Sequence, residues 1–99
     1  MSAFMPDFDV VTVSATTTLS NVAVPTSGPA TFNVTNAGTN PVIVGLTQSG
    51  APSGNVVIPA GWPMMLQCQN PERTPGTVYA WVTATSGSST VYISSGFEV

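Results

Sequence analysis

The chain contains no histidine and no lysine, and it has a single arginine, Arg73, and a single cysteine, Cys68. Without histidine, a Ser-His-Asp or Cys-His catalytic arrangement and an imidazole metal ligand are both excluded. One cysteine allows neither an internal disulfide nor a thiolate zinc site. The sequence therefore predicts a protein that is not an enzyme, with no catalytic residue, no metal site and no cofactor.

Charge of either sign is scarce. Charged residues make up 5% of the chain and the formal net charge is −3, whereas about a quarter of the residues in an average domain are charged. Binding to nucleic acid or to an anionic membrane surface requires several lysines or arginines, so we expect neither partner. A surface of uncharged polar residues loses little free energy on desolvation, which suits a protein packed against neighbours. A β-rich sequence with threonine on its strands would show the same composition.

Long apolar runs are also absent. No run approaches the roughly 20 residues of a membrane-spanning helix, and the N-terminus has neither the basic nor the apolar region of a signal peptide. No window shows a helical repeat of apolar residues. We therefore expect a chain that is made and folded in a reducing cytoplasm and that contains no long helix.

Alternating β-type residues dominate what is present, most clearly in residues 31–46. Phe32 and Val34 share one face of the first run, and Val42 and Val44 share one face of the second, because strand side chains alternate with a period of two. A short polar turn joins the two runs. The pattern predicts a β-hairpin with one apolar face.

The whole chain divides into about eight short runs of this kind, separated by turn signals every 8 to 12 residues. This spacing predicts an all-β fold, a single antiparallel β-sandwich of jelly-roll or immunoglobulin-like type over residues 9–99, preceded by an extended arm at 1–8. A final hairpin is predicted to turn at residues 86–88. The predicted strands cover residues 9–14, 19–24, 31–35, 42–46, 56–58, 64–69, 77–83 and 90–94.

The N-terminal arm is rich in large apolar side chains. Phe4, Met5 and Phe8 surround Pro6, which disfavours a helix. Frayed termini are usually poor in aromatic residues. We therefore interpret the arm as a docking segment that lies either on the flank of its own domain or on a neighbouring subunit, and we assign Phe4, Met5 and Phe8 to a protein interface.

Three further residues are interface candidates. Trp62 lies between Gly61 and Pro63, which favours an extended backbone and a ring at the rim of the fold. Met65 faces away from the predicted core side of its strand. Arg73 is the only cation of the chain and could form a salt bridge between subunits, although a solvated pair with Glu72 is the ordinary alternative.

The aromatic residues near the C-terminus suggest a different kind of site. Tyr79 and Trp81 share one face of a strand, and Tyr92 alternates with apolar residues on the last strand. If the aliphatic face forms the core, these three rings form an outward patch that could bind a partner or stack on a sugar ring. If the sheet is buried on both faces, the rings belong to the core or to a subunit interface.

Three segments resemble small β-sandwich virion proteins of tailed bacteriophages. They are the VTNAGTNPVIV run at 34–44, the VIPAG turn at 57–61 and the STVYISSG end at 89–96. The resemblance implies a head decoration (cement) protein or a fibre-associated module, whose partners would be the major capsid protein and copies of itself. Its location would be the capsid exterior of the virion, after synthesis in the host bacterial cytoplasm. The alternative is a carbohydrate-binding or host-binding module of a head or tail fibre.

Overall fold

The computed structural model describes residues 4–6, 8–26, 31–48, 50–51, 54–67 and 76–98, with the side chains of residues 5, 76, 97 and 98 left aside. Each segment of alternating apolar and polar residues in these ranges forms a strand, and no helix is present in them. The strands are β1 Phe4–Pro6, β2 Val11–Thr16, β3 Ser20–Thr26, β4 Thr31–Asn36, β5 Val42–Thr47, β6 Val56–Ile58, β7 Pro63–Gln67, β8 Gly76–Ala84 and β9 Ser88–Glu98.

The strands form two antiparallel sheets, which confirms the predicted all-β sandwich. In the first, sheet A, β9 is flanked by β4 on one side and by both β1 and β2 on the other, and β7 forms the opposite edge beyond β4. In the second, sheet B, the strands lie in the order β3, β8, β5 and β6. β1 and β2 pair with successive parts of β9, so together they form one interrupted edge strand.

The pairing is nested along the chain. β5 pairs with β6, β4 with β7, β3 with β8, and β2 with β9. The chain is thus one long antiparallel ribbon, and successive pairs of the ribbon belong alternately to the two sheets. This rolled ribbon is the jelly-roll arrangement, so the strand order selects the jelly roll over the immunoglobulin-like alternative.

The inward faces of the two sheets form the core. Side chains alternate in direction along each strand, so every second residue points inward, and the largest fully buried side chains are aliphatic apart from Phe32, Asn36 and Ser95. The predicted inward faces at Phe32, Val34, Val42 and Val44 are confirmed, because each is at most 1% exposed. Burial of a side chain of this kind contributes about 1.5–3 kcal/mol.

The two predicted hairpins are wrong in their connectivity. β4 lies in sheet A and β5 in sheet B, so residues 31–46 form an arch that crosses the core instead of a hairpin within one sheet. The turn at residues 85–87 likewise joins β8 in sheet B to β9 in sheet A. Both connections keep the predicted apolar faces, because in an arch the two faces point at each other across the core.

Candidate interaction surfaces

The loop motif that carries the family resemblance is occupied by internal hydrogen bonds. Asn36 is fully buried, and its side-chain Nδ2 donates to the carbonyl oxygens of Asn40 at 2.8 Å and Ile58 at 3.0 Å. Its Oδ1 accepts from the backbone N–H of Gly38 at 3.0 Å. Its own backbone N–H donates to Trp62 and its carbonyl accepts from Gly61. Asn36 thus ties the end of β4 in sheet A to the end of β6 in sheet B.

The same loop is held to the β8–β9 connection. The Ser89 hydroxyl donates to the carbonyl of Asn40 at 2.7 Å and accepts from the Asn40 N–H at 3.0 Å. Gly38 lies so close that a Cβ at its position would be 2.6 Å from the Cα of Ser89. Only glycine fits this approach of two backbones. Asn36, Gly38 and Asn40 are therefore needed for the fold, and the amide side chain of Asn36 is fully engaged by internal partners.

The outward face of sheet B carries the first candidate surface. Trp81 on β8 lies opposite Asn21 on β3 and Gly45 on β5, and Tyr79 lies opposite Ala23 and Thr47. Gly45 has no side chain to pack beside the indole of Trp81. Tyr79 is 39% exposed, whereas Trp81 is half-buried with an Nε1 that is buried and has no hydrogen-bond partner. We call Tyr79 and Trp81, with the neighbouring Ile43 and the exposed Val57, the aromatic face.

The structure separates Tyr92 from the other two aromatic residues. It lies on β9 in sheet A, whereas Tyr79 and Trp81 lie on β8 in sheet B. All three point away from the core, as expected if the aliphatic face is buried, but Tyr92 faces the opposite side of the sandwich. The single three-ring patch is therefore wrong, because consecutive strands at this arch belong to different sheets.

The outward face of sheet A carries the second candidate surface. Tyr92 lies opposite Thr12 and Thr35, and Thr35 in turn lies opposite Pro63. Met65 follows two residues later on the same face of β7. Tyr92 and Met65 are each 41% exposed, and Trp62, at the turn before β7, is 59% exposed. Trp62 is opposite the buried Asn36 and alternates with Pro63, so it lies at the end of the sandwich and not on this face. We call Met65 and Tyr92, with the hydroxyl and amide side chains between them, the polar–apolar face.

The N-terminal segment lies partly on its own domain. Phe4 pairs with Glu98 and Pro6 with Gly96, so residues 4–6 extend the edge of sheet A. Phe4 is half-buried, while Phe8, between β1 and β2, is 39% exposed. The described part of the arm therefore docks on the flank of its own domain. Although the sequence assigns residues 1–8 to an arm and 9–99 to the domain, β1 is paired within sheet A. The backbone of Met5 pairs with Phe97.

The remaining candidates contribute little chemistry. Arg73 and Cys68 lie outside the described residues. Among the described residues, no group of three or more histidine, cysteine, aspartate or glutamate side chains could hold a metal ion. A cavity of about 140 Å³ opens between the edges formed by β6 and β7, lined mainly by apolar atoms of residues such as Val44, Leu46 and Leu66. None of the described residues that line it is titratable.

No helix in the described ranges is long and apolar enough to cross a membrane. The comparisons with protein families, with curated proteins and with solved structures each found no match. The features that sequence reasoning missed are the pairing of Gly45 with Trp81 and the position of β2 at an edge of sheet A. Both depend on which strands are neighbours, and alternation along one strand carries no signal for that.

Proposed function

We propose that the chain is a non-enzymatic structural protein of a tailed bacteriophage, a capsid decoration (cement) protein that binds the exterior of the assembled head. The observation that supports this most is the polar–apolar face. Exposed Met65 and Tyr92 lie on strands β7 and β9 among uncharged threonine, serine and asparagine side chains. Such a face combines an aromatic anchor with a low cost of desolvation, as stable interfaces do.

The mechanism of such a protein is contact area repeated in many copies. Each copy bridges neighbouring subunits of the major capsid protein, so disassembly of the shell must also break the added contacts. The resemblance of residues 34–44, 57–61 and 89–96 to phage virion proteins supports the same proposal. In this structure the turn residues of these segments are joined by hydrogen bonds that link Asn36 with Ile58 and Asn40 with Ser89.

Co-sedimentation tests the proposal. Purified chain is mixed with heads of the phage that encodes it, produced without its gene, and the bound copy number is measured. We expect saturation at a fixed copy number and at least about a tenfold loss of affinity in Met65→Glu, because a buried unpaired carboxylate costs more than 1.4 kcal/mol.

The matched control is Val57→Glu, which places the same charge at a comparably exposed apolar residue on the opposite sheet. It should bind shells as the native chain does. Absence of saturable binding by the native chain would overturn the proposal, and equal losses in both variants would remove the polar–apolar face from it.

A carbohydrate-binding or host-binding module is the second candidate, and the aromatic face supports it. Tyr79 and Trp81 are two residues apart on one strand and point the same way, a suitable platform for stacking on a sugar ring. Calorimetric titration with polysaccharide from the host surface separates the two functions. Heat that disappears in Trp81→Ala but persists in Tyr92→Ala would favour this candidate over the capsid role.

A further inference from the structure

The four edges of the two sheets are protected to different degrees. β3 contains Pro25, β7 begins at Pro63, and β6 has only three residues. Proline and shortness are both common means of preventing a sheet edge from pairing with another chain. β2, Val11–Thr16, has six residues, contains neither proline nor a charged residue, and pairs with β9 in an uninterrupted register. β2 is therefore the least protected edge.

The outer side of β2 presents both unpaired backbone groups and apolar surface. In the described part of the chain, no backbone hydrogen bond joins β2 to anything except β9. Val11 and Val13 point towards the core but are only half-buried, whereas their partners on β9, Ile93 and Val91, are fully buried. Val10 immediately before the strand is 54% exposed. An added strand would satisfy the backbone groups and cover these side chains.

We propose that this edge pairs with the same edge of a second copy of the chain, with the two β2 strands antiparallel about a two-fold axis near Val13 and Ser14. The inference concerns the isolated chain and does not depend on the capsid role. An isologous contact of this kind is self-complementary, and it closes at two copies. Sheet A would then continue through the axis into the sheet A of the partner.

The distribution of charge leaves this edge free of repulsion between two copies and favours the antiparallel orientation. The chain carries a net charge of −3, so identical copies repel one another in general. The segment from Val10 to Val24 contains no charged residue, and the nearest charge is Asp9. In the antiparallel arrangement each Asp9 lies opposite the far end of the partner strand, roughly 27 to 34 Å from the other Asp9 at about 3.4 Å per residue. A parallel arrangement would place the two carboxylates side by side.

The proposed axis gives a direct test by charge. Ser14 is exposed, faces away from the core and lies close to the axis, so residues 14 of the two copies would be within about 5 to 8 Å of each other. In a concentration series by analytical ultracentrifugation, we expect the native chain to dimerise. Ser14→Lys and Ser14→Glu should each raise the dimer dissociation constant at least about tenfold through like-charge repulsion.

Mixing the two variants separates repulsion from loss of the fold. An equimolar mixture of Ser14→Lys and Ser14→Glu should dimerise again, because lysine then faces glutamate across the axis. Gln67→Lys is the matched control, since Gln67 is exposed on the outward face of β7 at the opposite edge of sheet A, and it should dimerise as the native chain does. A monomeric native chain, unaltered dimerisation of Ser14→Lys, or equal weakening by Gln67→Lys would each overturn the proposal.

Discussion

At the scale of single residues, the most constrained position is Asn36. It lies at the end of a strand in sheet A, is fully buried, and has every polar group of its backbone and side chain hydrogen-bonded. The two partners of its side-chain Nδ2 are carbonyl oxygens, which require a hydrogen-bond donor. Asparagine alone supplies a donor and an acceptor of this size on one short side chain.

Asn36→Asp replaces the donor Nδ2 by an oxygen without changing the volume. The new carboxylate oxygen would face the carbonyls of Asn40 and Ile58, and a buried charge would have no cation nearby among the described residues. We expect a loss of about 3–5 kcal/mol of unfolding free energy, a large share of the 5–15 kcal/mol typical of a domain. Chemical denaturation measures this loss.

Asn21→Asp is the control for this change, because Asn21 is exposed on β3. It should alter the unfolding free energy by less than about 0.5 kcal/mol. Equal effects of the two substitutions would contradict the role given to the hydrogen bonds of Asn36.

Residue patterns alone predicted which side chains are buried, but they did not predict why the loop motif requires the residues it contains. Alternation is a local property, so the burial of Phe32, Val34 and Val42 could be predicted from the sequence. The need for glycine at position 38 arises from Ser89, fifty-one residues later in the chain. A turn of the Asn-Ala-Gly type looks the same in the sequence whether a second backbone approaches it or not.

At the scale of elements, the arches explain which predictions failed. An arch and a hairpin have the same sequence signals, namely two alternating runs and a polar turn. They differ in whether the apolar faces lie side by side or opposed, and that is decided by pairing with distant strands such as β9 and β8. For the same reason, the grouping of Tyr92 with Tyr79 could not be tested before the sheets were known.

The pairing of β1 predicts the effect of removing the N-terminal segment. Deletion of residues 1–6 removes the three described residues that pair with the end of β9, while β2 keeps its full register with that strand. We expect a folded chain whose unfolding free energy is lower by about 1–2 kcal/mol, which corresponds to about 5–15 °C in the melting temperature. Thermal unfolding followed by circular dichroism measures the change.

Substitution Phe4→Ser, which keeps the backbone of β1, should recover part of the loss. A chain that no longer folds after the deletion would show that β1 is essential to sheet A, and an unchanged melting temperature would show that its pairing contributes nothing.

At the scale of the whole molecule, the scarcity of charge predicts an unusual insensitivity to salt. Only five of the 99 residues are charged, and Asp9, which is exposed, is one of them. Stability must therefore come from the apolar core and from uncharged hydrogen bonds. We expect the melting temperature to change by less than about 2 °C when sodium chloride is raised from about 0.05 to 0.5 M, because screening has few charges to act on.

Ammonium sulfate provides the contrast, since it strengthens the burial of apolar surface and should raise the melting temperature. A large shift in sodium chloride would instead reveal a network of charges that contributes to folding.

The rolled ribbon also determines when folding can take place. β9 pairs with β1, β2 and β4, and β8 pairs with β3 and β5, so both sheets are centred on strands that are translated after all of their partners. Of the strand pairs in the described residues, a nascent chain lacking residues 76–98 can form only β4–β7 and β5–β6, so β1, β2 and β3 have no partner strand in it. Long-range pairing of this kind has a high contact order, which slows folding. We therefore expect both sheets to be completed only after β8 and β9 have been translated.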